Sequence, residues 1–142
     1  MSIDVLYTAE ALSTKDGRNG HVRSSDGLLD AAVAVPKELG GNGGATNPEQ
    51  MFAAGYAACF HAAVRHVAGT EKLRLGDGTS VAATVGMGPD GVGGYGLEIA
   101  LTVHLPGLEQ AEAEKLVEKA FRTCPYSNAT RGNVETVLTT TV

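Results

Sequence analysis

The stretch from residue 47 to residue 68 reads NPEQMFAAGYAACFHAAVRHVA. Its opening has the chemistry of a helix start: Asn47 as a cap, Pro48 at the first helical position and Glu49 as an acid in the first turn. From Met51 to Val64 only His61 is clearly polar. The spacing therefore predicts a helix, running to about Ala68, that is apolar nearly all round. Such a helix is normally buried on every side. One small domain has trouble surrounding a helix completely, and a second copy of the chain is the simplest solution.

Upstream, residues 3 to 13 alternate in part, with Ile3, Val5, Tyr7, Ala9 and Ala11 on one side, and read as a strand. Asp16-Gly17-Arg18-Asn19-Gly20 has turn chemistry. A return strand follows over 21–24, a turn at Ser25-Asp26-Gly27, and a third strand over 29–35 that Pro36 stops. Residues 39–45, LGGNGGA, form a flexible loop before the helix.

Downstream, residues 79–87 and 97–105 alternate around a glycine-rich stretch and predict a hairpin. Residues 109–122 form an amphipathic helix, with Ala113, Leu116, Val117, Ala120 and Phe121 on one stripe. Pro125 ends it, because the residue before a proline avoids the helical region. A Thr/Val-rich strand over 134–142 follows. The order is three strands, helix, hairpin, helix, strand, which is α+β with mainly antiparallel pairing.

The chain has 142 residues, the size of one ordinary domain, and 43% are hydrophobic, enough for a core. Eleven basic and sixteen acidic residues leave a net charge of −5, and no basic run appears. A surface that tracks phosphates needs clustered Lys and Arg, so nucleic acid is not the expected partner. The apolar run 51–60 is too short and too rich in alanine to span a bilayer. No charged segment followed by an apolar one marks the N-terminus as a signal peptide, so the expected location is the cytoplasm. Two cysteines are too few for a stapled secreted scaffold.

Cys59 falls mid-helix, and Cys124 continues the stripe of 113, 117 and 120, so both thiols are expected to face the core. They are 124 − 59 = 65 positions apart, which is no CxxC motif. Spacing does not say whether they meet, and buried free cysteine is common as a small hydrophobe.

Three stretches carry a resemblance: LYTAEALSTKDGRNGHVRSSDG (6–27), PKELGGNGGATNPEQMFAAGYAACF (36–60) and TCPYSNATRGN (123–133). Through them the chain resembles, from end to end, the organic hydroperoxide resistance branch of the Ohr/OsmC family. The last two stretches are long and specific, and they separate it from the OsmC branch. The resemblance implies one domain over 1–142 with an OsmC-like fold: antiparallel sheets wrapped around two central buried helices in an intertwined homodimer.

The same resemblance implies a peroxidase that reduces alkyl, aryl or fatty-acid hydroperoxides. Cys59 would be the nucleophile, oxidised to a sulfenic acid, and Cys124 would close a disulfide with it. Dihydrolipoyl groups on lipoylated proteins would reduce the pair, with no metal, flavin or haem. Burial opposes ionisation of a thiol, and a residue in mid-helix gains nothing from its own helix's N-terminus. The family motifs place the required positive charge at Arg18 and its carboxylate partner at Glu49.

Glu49 and Cys59 lie ten residues apart, a rise of about 15 Å on a regular helix. Either the helix is broken between them, or Glu49 serves the Cys59 of a partner chain. The expectation is a dimer with Arg18 and Glu49 from one chain and both cysteines from the other.

His61 does not share a helix face with Cys59, and His66 lies about two turns further on, so a Cys–His hydrolase or metal site is not expected. Tyr126, Ser127, Asn128, Arg131 and Asn133 read as turn and packing residues that fix the second thiol. Met51, Phe52 and Phe60 read as core, offering an apolar wall that suits bulky hydroperoxides. Phe121 departs from the histidine expected in many relatives. Two other readings stay open: a non-enzymatic redox switch, and a small-molecule binding module with inert cysteines.

Overall fold

A computed structural model describes residues 2–142. The chain divides between Met51 and Phe52 into two compact units. In the first, β1 (Ala11–Asp16), β2 (Asn19–Ser24) and β3 (Asp30–Ala32) form an antiparallel sheet in that order. The strand expected over 3–13 starts only at Ala11, and Ile3, Val5, Leu6 and Tyr7 are exposed. The reason is the partner. Ala11 pairs with Ser24, where β2 ends, so earlier residues have no strand of this sheet beside them.

The third strand is also shorter than expected, because its pairing changes hands. Val33 donates to the Gly20 carbonyl, Ala34 to that of Thr46, and Val35 to the side-chain oxygen of Asn19. After Pro36 comes a single 3-10 turn, Lys37–Leu39, and then the expected glycine loop. β1 is exposed along its whole length, and among residues 2–51 only Val33 and Asn47 are buried. The first unit therefore has almost no core of its own.

Helix α1 (Pro48–Thr70) starts as expected: the Asn47 side-chain oxygen accepts the Gln50 amide at 2.9 Å. It runs unbroken past Ala68 to Thr70. Lys72 then turns left-handed (φ 58), and Leu73 donates back to the Ala68 carbonyl, closing the end. The helix is not covered on every side within the single chain. Tyr56, Phe60, Ala63, Val64, Val67 and Ala68 are buried, while Ala54, Ala58 and Ala62 are exposed.

The second unit adds the hairpin β4 (Ser80–Pro89) and β5 (Tyr95–His104), helix α2 (Gln110–Thr123), a short helix α3 (Pro125–Thr130) and β6 (Thr136–Thr141). Asp90 shapes the hairpin turn by accepting the amides of Val92 and Gly94. The alternation in β5 was read correctly: Ile99, Leu101, Val103 and Leu105 have no exposed surface. So was the stripe on α2, where Ala113, Leu116, Val117 and Ala120 are buried. These side chains and the inner face of α1 make one core.

Three of the four strand ladders are antiparallel, as expected. The fourth is parallel: β6 lies beside β5 with Ile99 opposite Thr136, in the order β4-β5-β6. The link from β5 to β6 carries α2, the helical crossover that parallel neighbours need. Helix α3 was not foreseen, since its residues read as a turn. No helix among the described residues is long and apolar enough to cross a membrane.

Candidate active site

The four residues singled out from the sequence come together as two pairs, one in each unit. The first pair begins with the β1–β2 turn. Asp16 and Asn19 are the last paired residues, leaving Gly17 and Arg18 as the two-residue connection. Gly17 has φ +66, which glycine adopts freely at the first turn position. A side chain at Gly20, across the ladder, would collide with the Thr14 carbonyl oxygen. The tip is further tied by the Asn19 side chain, which accepts the Val35 amide at 3.1 Å.

Arg18 leaves this tip and meets Glu49 in the first turn of α1. The pairing is bidentate: Nη1 to Oε2 at 2.9 Å and Nη2 to Oε1 at 2.7 Å. The hydrogen bonds from Arg18 hold the Glu49 carboxyl below its ordinary range, against an opposing effect of burial. Glu49 in turn holds Arg18 further in its charged form. In the single chain 41% of the Arg18 side chain is exposed, against 16% for Glu49.

The second pair is the two thiols. Cys59 sits on the inner side of α1, one turn after Tyr56. Cys124 joins α2 to α3: its backbone is extended (φ −64, ψ 124), as a residue before proline requires, and it is wholly buried. Both cysteines are free thiols, and Cys124 Sγ donates to Cys59 Sγ at 3.5 Å. Spacing alone left open whether they meet; in the fold they touch. Thiols this close can join with little movement once one is oxidised.

Burial pushes the Cys59 thiol above its ordinary range, and the neighbouring thiol adds to this. One group pulls the other way: the backbone amide of Tyr126, facing the Cys59 sulfur, favours its anion. The sequence reading missed this. Cys59 gains nothing from its own helix's N-terminus, and its position in the sequence does not reveal that a second chain segment brings an amide toward it. Pro125 itself was the available signal, because proline is favoured at the first position of a helix as well as after the end of one.

Around the sulfurs stands an aromatic group. The Tyr126 ring lies 5.8 Å from that of Tyr56 and 6.2 Å from that of Phe52, centre to centre. Phe60 is core, as expected, whereas Phe52 and Met51 are only partly buried. Beyond the pair, Arg131 stacks its guanidinium 5.1 Å over the Phe121 ring and donates to the Phe121 carbonyl at 2.6 Å. His61 accepts a bond from Arg65, and burial together with that cation lowers its pKa. No group of three or more His, Cys, Asp or Glu is placed to hold a metal ion among the described residues.

Comparison with known proteins bears on this arrangement. The family model described as OsmC-like protein matches residues 41–139. The organic hydroperoxide resistance protein of Xanthomonas axonopodis pv. citri (strain 306) is 52% identical over 136 residues, covering 95% of this chain and 94% of that protein. A crystal structure of an organic hydroperoxide resistance protein from Legionella pneumophila matches with a TM-score of 0.93 and 52% identity, over 98% of this chain and 100% of that one. The structure of OhrB from Bacillus subtilis matches with a TM-score of 0.85 and 38% identity, over 96% and 99% of the two chains.

Proposed function

The chain belongs to the OsmC-like family, among its organic hydroperoxide resistance proteins, and from that premise we propose that it is a thiol peroxidase acting on organic hydroperoxides through Cys59 and Cys124. The observation that carries the reading is the 3.5 Å approach of the two sulfurs. Cys59, as thiolate, attacks the terminal peroxide oxygen. The O–O bond breaks, the alcohol leaves with a proton, and Cys59 becomes a sulfenic acid. Cys124 then attacks that sulfur. The S–S bond forms, the S–O bond breaks, and the oxygen leaves as water with the Cys124 proton. A dihydrolipoyl group reduces the disulfide by exchange and is itself oxidised to the cyclic disulfide.

The reading assigns Arg18 to hold the Cys59 anion and the peroxide oxygens, and Glu49 to hold Arg18. A thiol pushed up by burial needs such a cation. We place that cation on a partner chain. Helix α1 is continuous from Pro48 to Thr70, so the ten residues between Glu49 and Cys59 amount to a rise of about 15 Å. The exposed alanines of α1 and the exposed apolar residues of the first unit also favour burial against a second copy. The substrate side is apolar: Phe52 and the partly exposed Tyr126 suit an alkyl or aryl group better than hydrogen peroxide.

The test is steady-state reduction of tert-butyl or cumene hydroperoxide, compared across dihydrolipoamide, thioredoxin and glutathione. Turnover is expected with dihydrolipoamide and is lost in Cys59→Ser. Mass spectrometry should find a peptide joining Cys59 to Cys124 after peroxide treatment. A single stoichiometric oxidation without turnover points instead to a redox switch, and unchanged peroxide consumption in Cys59→Ser defeats the reading.

A further inference from the structure

The second unit contains a buried polar contact that the proposed chemistry does not use. The Tyr56 hydroxyl and the Ser127 hydroxyl lie 2.7 Å apart, both wholly buried. Tyr56 belongs to an apolar core that also holds Phe60, Val64, Leu116 and Ala120. A buried hydroxyl loses its water and must recover a partner, and such pairs fix one arrangement of the elements that carry them. Position gives this one its meaning. Tyr56 precedes Cys59 by one helical turn on α1. Ser127 follows Cys124 by three residues, and the Asn128 amide donates to the Cys124 carbonyl at 3.0 Å, closing the turn between them.

We propose that Tyr56 and Ser127 are positioning residues whose hydrogen bond holds the α2–α3 junction against α1, so that Cys124 stands within reach of oxidised Cys59. This deepens the peroxidase reading and rests on it. A second observation places the junction equally close. A methyl group added at Gly55 would lie 3.2 Å from the Tyr126 hydroxyl and 3.3 Å from its ring. Tyr126 therefore packs closely on α1, and a side chain at residue 55 would require its ring to shift by a few tenths of an ångström. With the bond made, the junction has one seat. Without it, Cys124 can draw back while the core stays packed, and the Cys59 sulfenic acid waits longer for its partner. In that interval a second peroxide can carry it to the sulfinic acid.

The experiment compares Ser127→Ala, Tyr56→Phe and Ser127→Thr with wild type. Val67→Ala serves as a control that weakens the same core away from the pair. Two quantities are read: the rate of Cys59–Cys124 closure after diamide, and the fraction of Cys59 found as sulfinic acid after graded peroxide. Losing a buried hydrogen bond predicts closure slower by about three- to tenfold in Ser127→Ala and Tyr56→Phe. The sulfinic fraction should rise in step. Ser127→Thr, which keeps the hydroxyl, should recover most of the rate, and Val67→Ala should lower the melting temperature yet close like wild type.

Closure at the wild-type rate in both hydroxyl-deleted variants overturns the proposal. So does a Val67→Ala defect as large as theirs, because closure would then follow stability alone. Diamide needs no peroxide chemistry, so this arm judges the proposal even if the wild-type protein reduces no hydroperoxide, a result that would sink the peroxidase reading by itself.

Discussion

Arg18 and Glu49 are held from outside, Cys59 and Cys124 from inside. The ionic pair hangs on a two-residue turn and the first turn of a helix, in a unit where β1 has no buried residue. The thiol pair sits where α1 meets the α2–α3 junction, in the principal core. Local sequence builds the first: a glycine that accepts φ +66, an Asn cap, a proline. Tertiary packing builds the second, since nothing near Cys59 in sequence specifies Cys124. Charge can be placed at a surface turn because ionic attraction tolerates water. A sulfur–sulfur reaction needs contact, and contact comes from a core.

This contrast can be broken by mutation, and the largest effect should fall on the core. Leu116→Ala is expected to destabilise the protein by about 2–5 kcal/mol, from lost burial and the cavity left behind. Denaturant unfolding checks this, and disulfide closure should also slow, because Leu116 lies on α2, the helix that leads into the junction carrying Cys124. If closure survives a loss of that size, the thiols do not depend on the core as argued.

Arg18→Ala should do the reverse. Its stability cost is expected to stay within about 1 kcal/mol, because an ion pair this exposed is weakened by solvent. The rate of peroxide attack, followed by stopped flow under single-turnover conditions, should fall by about 10²–10³, the usual loss when one charge-stabilising donor is removed. The pH midpoint of Cys59 alkylation should also move upward, because the role proposed for Arg18 is to favour the thiolate. An unmoved midpoint would place the activating charge elsewhere.

The smallest effect concerns Glu49. Its folded pKa is depressed by Arg18, so its stabilisation is complete above the unfolded carboxylate value of about 4.3 and is lost as pH falls through the lower folded value. Thermal melts of wild type and Glu49→Gln should therefore differ at neutral pH, by no more than about 1 kcal/mol after allowing for the exposed guanidinium. The two should converge in acid. A gap that widens on acidification contradicts the assignment.

The same contrast explains what could be read from the sequence. Asn47, Pro48, the alternation of β5 and the stripe of α2 were legible because each is a local pattern with one physical cause. The start of β1 was not, because a strand ends where its partner ends, and Ser24 lies outside any window around Ala11. Nor was the parallel docking of β6, since its Thr/Val alternation looks the same in either direction. Helix α3 hid behind turn-forming residues. Of the site, the ionic pair and the thiols were named through family motifs, and the fold supplied distances. The Tyr56–Ser127 bond had no local signature. A buried tyrosine announces that it needs a partner, not which one.

The meeting of two sulfurs 65 positions apart links oxidation state to folding equilibrium. A crosslink there would restrict the unfolded chain and lower its entropy, by an amount worth about 4 kcal/mol for a loop of this length. A thermodynamic cycle makes the relation mutual: whatever the bond adds to the native state, the native state adds to the bond. The oxidised protein would be the sturdier one, and a reductant must work against the whole architecture rather than against an isolated disulfide.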